Sequence, residues 1–272
     1  MPPSAGIRRG RGPAVVVWVI AAIALALLVL PLVAILLSAP WLELPALLVA
    51  PETLQALGLS VLTGAISTAL CLVLGIPLAV VLARSVSWPV VPRRLLRAAV
   101  TIPLVLPPVV GGLALLLLLG RTGVLGRYLA LLGVTIPFTT GAVVIAQTFV
   151  AMPFLVFAVE GALRGADRRV ELAAASLGAS PWQVFRTVTL PLVAPGVAAG
   201  AVLCFARALG EFGATITFAG SYPGVTRTLP IASYLASQTD LNQSIALALV
   251  LLVVSVAVLL GLRDRWLPGV RG

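Results

Sequence analysis

Five stretches of this 272-residue chain run for more than twenty residues without a charged side chain. They lie between Arg11 and Glu43 (31 residues), Glu52 and Arg84 (31), Arg97 and Arg121 (23), Arg127 and Glu160 (32), and Asp240 and Arg263 (22). About 20 apolar residues in a helix cross the hydrocarbon core of a bilayer, so each stretch has room for one crossing. A sixth segment, Leu192 to Phe218, is as apolar but carries Arg207 and Glu211. The pattern predicts an all-α polytopic membrane protein with six spans near 14–37, 55–83, 97–119, 136–159, 192–218 and 243–262. Residues 1–13 and 263–272 are expected as tails, and 54–262 as a five-helix core behind a separate first helix. Composition agrees: 61% hydrophobic and 10% charged residues leave too little polar surface to cover a globule in water. The basic opening MPPSAGIRRGRG resembles the start of a signal peptide. Its apolar run is too long for that role and no clear A-x-A site follows, so a retained first helix is expected.

All 18 basic residues are arginines, and the chain has neither Lys nor His. A P-loop lysine, a Schiff-base lysine, a catalytic histidine and a His-ligated metal are thereby excluded, and no catalytic or metal-binding residue is expected. Cys71 and Cys204 lie in apolar runs and read as small buried hydrophobes. With a cytoplasmic N-terminus, Arg8, Arg9, Arg11, Arg84, Arg93, Arg94, Arg97, Arg164, Arg168, Arg169, Arg186, Arg263, Arg265 and Arg271 all fall inside. Only Arg121, Arg127 and Arg227 fall outside, which is a strong positive-inside bias with both termini cytoplasmic. The net charge of +10 therefore belongs to the cytoplasmic membrane face, and nucleic acid is not an expected partner.

One cytoplasmic segment has a definite local design. In DRRVELAAASLGASPWQVFRTVTLPLVAPG, Asp167 is placed to cap a helix of good formers, and Gly178 can take the left-handed conformation that ends it. Ser180 with Pro181 next and Gln183 three residues on forms a capping-box pattern for a second helix. The expected product is helix, sharp turn, helix, within a coupling loop over 164–191. Its second arm is expected to stop at Leu190-Pro191, where the next span begins. Such an elbow would be either an interfacial hairpin anchored by Trp182 or a docking surface.

The residue order there resembles the signature of ABC-transporter permease subunits: E-A-A, three residues, G, nine residues, I, one residue, L-P. Glu171, Ala173, Gly178, Leu190 and Pro191 follow that order, with four residues instead of three between Ala173 and Gly178, while Leu172 and Val188 depart mildly. The resemblance implies the permease fold of type I ABC importers. It also implies that the elbow around Glu171, Ala173, Gly178, Ala179, Ser180 and Pro181 is the coupling helix that docks on a separate ATPase. ATP and Mg would be used by that subunit, with no cofactor bound by this chain.

Polar groups inside spans are the default pointers to a transport path. Arg207 and Glu211 are four apart and share a helical face, as a structural ion pair or a substrate contact. Counted from Leu192, Arg207 falls near mid-bilayer. Thr215 and Thr217 add hydroxyls that cannot share one face, and Pro107-Pro108 before Gly111-Gly112 predicts a kink, hinge or broken helix. The path or gate is expected around Arg207, Glu211, Thr215, Pro107 and Pro108. Glu160, Asp167 and Glu171 are read as carboxylates on a solvated loop, paired with nearby arginines.

FARALGEFGATITFAGSYPGVTRTLP from Phe205, with LPPVVGG and LLLLLGRTGVLG before it, is similar to the molybdate branch of that family. Sulfate, thiosulfate and tungstate permeases share the ARA-x-GE core but less of the rest. The resemblance implies a homodimer of this chain in a bacterial plasma membrane. Two ATP-binding cassette subunits would sit beneath it and an extracytoplasmic molybdate-binding protein above. The alternative of another class is a self-sufficient secondary oxyanion transporter using the Arg207–Glu211 pair.

Overall fold

The computed structural model describes residues 15–266. The expected tails lie largely outside this range, and Arg8, Arg9, Arg11 and Arg271 fall there. Among the described residues all regular structure is helical. The long elements are α1 (Val15–Leu37), α3 (Pro51–Arg84), α7 (Thr140–Gly165), α10 (Leu190–Leu209) and α13 (Leu241–Trp266). Shorter ones are α2 (Leu44–Val49), α4 (Val90–Val105), α5 (Pro108–Leu119), α6 (Gly126–Leu131), α8 (Arg168–Ser176), α9 (Pro181–Val184), α11 (Gly213–Ala219) and α12 (Leu229–Ala236).

The centre is the trio α3, α7 and α10. Helices in lipid gain little from hydrophobic burial against each other, so close backbone approach through small residues must hold them. The buried face of α3 follows that rule, with Ala56, Ser60, Gly64, Ser67, Cys71, Gly75 and Ala79 at intervals of three and four. Cys71 and Cys204 are fully buried between α3 and α10, as free thiols, beside Ala151, Leu155 and Val159 of α7. A second cluster joins Leu115 of α5, Val143 and Val150 of α7, and Phe218 of α11. A third joins α3 to α12 and α13 through Ala56, Leu229 and Leu247. No residue of α1 is buried, and its main packing partner is α13, so most of its surface is left for lipid or another chain.

Two of the six expected spans are built differently. The segment 97–119 is not a straight crossing: α4 and α5 meet at a 115° bend. Leu106 and Pro107 at the break are extended, and Pro108 supplies the first residue of α5, which needs no N–H there. α4 lies against the Glu160 end of α7, and α5 against its first half. The segment 192–218 begins earlier and ends earlier, because one continuous helix runs from Pro181 to Leu209. Pro191 does not stop it. The turn Phe185–Thr189 widens to π-helical spacing just before that proline, so the missing N–H is absorbed without a break.

Candidate functional site

The elbow between α7 and α10 is built as local chemistry dictates. The Asp167 carboxylate accepts from the Arg169 N–H and caps α8. α8 ends in a Schellman motif: the Gly178 N–H donates to Ala175 O at 3.0 Å and the Ala179 N–H to Ala174 O at 3.2 Å. Gly178 has φ +88°, a conformation that any L side chain resists. A Cβ placed there would meet nothing within 4 Å, so the requirement for glycine is conformational and not a matter of space. Ser180 and Gln183 form the reciprocal capping box that starts α9 at Pro181.

Glu171 is not paired in an ion bridge with any described arginine. It accepts a 2.6 Å hydrogen bond from Oγ1 of Thr189, itself 1% exposed, and thereby ties α8 to the start of the long helix. Ala173 lies within α8, and its carbonyl accepts from the Leu177 N–H at 3.2 Å. Leu172, Leu177 and Trp182 stand exposed on the elbow, with Trp182 stacked on Phe185. Leu190 and Pro191 fall inside the continuous helix and do not mark its beginning.

At the far end of that helix, Arg207 sits in the last turn, 26 residues after Pro181 and about 39 Å along the axis. The expectation of a position fifteen residues into the span is corrected, because the helix starts at the elbow. Phe205 and Leu209 pack at Gly64, thirteen residues into α3 or about 20 Å from its Pro51 end, so this turn remains within the bundle. Arg207 Nη2 lies 2.7 Å from Glu211 Oε2, with Arg207 a quarter exposed and Glu211 at 1%. The helix ends at Gly210, and Glu211 Oε1 accepts from the Ala214 N–H at 2.8 Å, which fastens the first turn of α11. Glu211 thus joins two helices through its two oxygens.

α11 lies directly on α5. A Cβ on Gly112 would stand 2.6 Å from Ala214 O, and one on Gly213 would stand 2.9 Å from Cβ of Pro108. The structure therefore brings Pro108, Gly213, Glu211 and Arg207 into one neighbourhood, with Pro107 at the bend beside them. Thr215 on α11 is fully buried and its hydroxyl has no partner among the described residues. Thr217 turns its hydroxyl back to Gly213 O.

Two groups escaped the sequence reading. Ser67 on α3 donates toward Val144 O and Gln147 Oε1, both at 3.1 Å, and Nε2 of the fully buried Gln147 is left without a partner among the described residues. Only a period count on the 128–159 stretch, which places Gln147 with Val143 and Val150, could have flagged it. Glu160 was expected on a solvated loop and is instead 4% exposed within α7, where Oε1 accepts from both Arg97 and Arg164. Asp167, Glu160 and Glu171 thus serve three separate contacts. No group of three metal-ligating side chains occurs among the described residues.

The profile of the family described as binding-protein-dependent transport system inner membrane component matches residues 75–268. The molybdenum transport system permease protein ModB of Mycobacterium tuberculosis is 54% identical, over 87% of this chain and 88% of its own length. The ModB of Escherichia coli (strain K12) is 45% identical, over 64% of this chain and 77% of its own. Among solved structures, a bacterial alginate ABC transporter superposes with a TM-score of 0.65 at 17% identity, covering 90% of this chain and 92% of that one. Its fold is that of the type I ABC importer permeases, as the sequence resemblance implied. The chain therefore belongs to the family of binding-protein-dependent transport system inner membrane components, and within it to the ABC permeases of the molybdenum type.

Proposed function

We propose that this chain is the membrane-spanning subunit of an ATP-driven, binding-protein-dependent molybdate importer, and that two copies form the path. The observation that carries the reading is the unbroken helix from Pro181 to Leu209. It joins an exposed, doubly capped elbow at one end to a buried ion pair at the other. A helix that begins at a docking surface and ends at a gate transmits a displacement without loss, because its backbone bonds do not rearrange.

In this reading two ATP-binding cassette subunits dock on the elbow through Leu172, Leu177 and Trp182, and ATP and Mg are used there. Glu171, Ala173, Gly178, Ala179, Ser180 and Pro181 hold its shape, and Glu171–Thr189 locks α8 to the lever. At the far end, Gly210 and the Pro107-Pro108 bend flank the packed α5–α11 pair, which shifts as one piece when the lever moves. Glu211 neutralises Arg207, so a passing oxyanion meets an attraction too weak to trap it. Neutral donors such as Thr215 suffice for a tetrahedral oxyanion. An extracytoplasmic molybdate-binding protein supplies the affinity at the Arg227 end, and the uncovered α1 packs against the second copy in the inner membrane. The fourteen-to-three arginine bias supports cytoplasmic termini.

The test is ATP hydrolysis by the reconstituted chain with its ATPase, with and without molybdate-loaded binding protein. Stimulation that requires this chain and the loaded binding protein supports the reading. Molybdate flux through the chain without an ATPase would overturn it in favour of a secondary transporter.

A further inference from the structure

Four arginines that the transport path does not use surround one cavity at the elbow end of the bundle. Arg93, Arg94 and Arg97 of α4 and Arg164 of α7 line a space of about 390 Å³ together with Ser85 and Val86. The 3-10 turn Ser85–Ser87 forms its floor, and Arg93 Nη1 donates to Val86 O at 3.4 Å. One carboxylate, Glu160, serves Arg97 and Arg164 through a single oxygen. Among the described residues, four guanidiniums against one carboxylate leave three uncompensated positive charges facing the same volume. Arginine forks suit the paired oxygens of a phosphate, and like charges held together without an anion repel.

The surroundings say which anion. α4 is amphipathic, turned 115° from the helix that follows it, and lies at the Glu160 end of α7 instead of crossing with α5. Val86, Val90, Val91 and Leu95 stand at least half exposed around the arginines, with Trp88 beside them. A basic, amphipathic helix with an apolar face and an adjacent tryptophan fits the headgroup level of a bilayer. An ion arriving from water has no use for that apolar rim, whereas a phospholipid covers it with its acyl chains.

We propose that this cavity is a binding site for the phosphate of an anionic phospholipid, which neutralises the arginine cluster and seats α4 in the cytoplasmic leaflet. The site also borders a second cavity of about 660 Å³ that shares Arg164 and Val86 and reaches Asp167 and Glu171, so a bound lipid braces the base of the elbow.

The test is native mass spectrometry on the full chain purified in detergent, titrated with phosphatidylglycerol, phosphatidylcholine or inorganic phosphate. Phosphatidylglycerol binds preferentially, and inorganic phosphate at millimolar concentration does not displace it. R93Q/R94Q removes two charges but leaves Glu160 its partners, so the fold survives while phosphatidylglycerol affinity falls roughly thirtyfold. R93K/R94K keeps the charges without the forks and falls between the two. Unchanged affinity in R93Q/R94Q, or equal binding of the two lipids, overturns the site. Ready displacement by inorganic phosphate overturns the lipid assignment and makes it a site for a free oxyanion.

Discussion

Gly178 offers the sharpest perturbation of the elbow. Its φ of +88° lies where a non-glycine residue costs roughly 1–3 kcal/mol. No atom lies within 4 Å of where a Cβ would stand, so no clash adds to that cost in the isolated chain. The whole penalty is therefore conformational, and asparagine, which tolerates this region, recovers most of it. For Gly178→Val a strain near 2 kcal/mol lowers the population of the docking-competent elbow about thirtyfold. The spans do not depend on this residue, so insertion and thermal midpoint stay near wild type. The assay is ATP-driven molybdate uptake in proteoliposomes across a range of ATPase concentrations. Gly178→Val shifts half-saturation up by about thirtyfold, and Gly178→Asn by no more than about threefold. Two results would refute the reasoning. One is Gly178→Val at wild-type uptake throughout; the other is Gly178→Asn as impaired as Gly178→Val, which would locate the defect in docking sterics and not in φ.

The other elements make separate predictions. Arg207→Met alone strands the buried Glu211 and lowers stability by about 3–5 kcal/mol, whereas Arg207→Met with Glu211→Met costs only about 1–3 kcal/mol, for the Ala214 N–H it leaves unpaired; thermal unfolding in detergent separates them. Thr189→Val removes the hydrogen bond to Glu171 and costs about 1.5–3 kcal/mol of elbow rigidity. Hydrogen exchange over 168–189 rises, and a double mutant with Glu171→Ala adds nothing further. Gly112→Val drives a side chain into the Ala214 backbone and destabilises the α5–α11 pair by at least about 1–3 kcal/mol, read as loss of folded monodisperse protein.

What could be read in the sequence divides along the range of the interactions. The uncharged runs locate α1, α3, α7 and α13, because a lipid-facing helix must be apolar along its whole length. The elbow's turn was legible almost atom by atom: a Schellman glycine and a capping box are set by residues two to five apart. Tertiary partners were not. Glu160 looks like a loop carboxylate until α4 folds back at 115° and brings Arg97, 63 residues away, against it. Leu190-Pro191 reads as a helix start because a proline usually breaks what precedes it, and the widened turn that avoids the break has no sequence marker. Placing the start there put Arg207 at the wrong distance along its helix. The Pro107-Pro108 pair signalled a break, but neither its angle nor the contact of Pro108 with Gly213 follows from local order.

The central claim is that this chain moves molybdate only when a separate ATPase drives it through the elbow. Uptake of radiolabelled molybdate into proteoliposomes holding the chain, its ATPase and its binding protein, with and without internal ATP, tests this directly. The account predicts uptake that needs all three proteins and ATP, competed strongly by tungstate and weakly by sulfate. Uptake by the chain alone, without ATP, would contradict it and make Arg207–Glu211 the centre of a gradient-driven carrier.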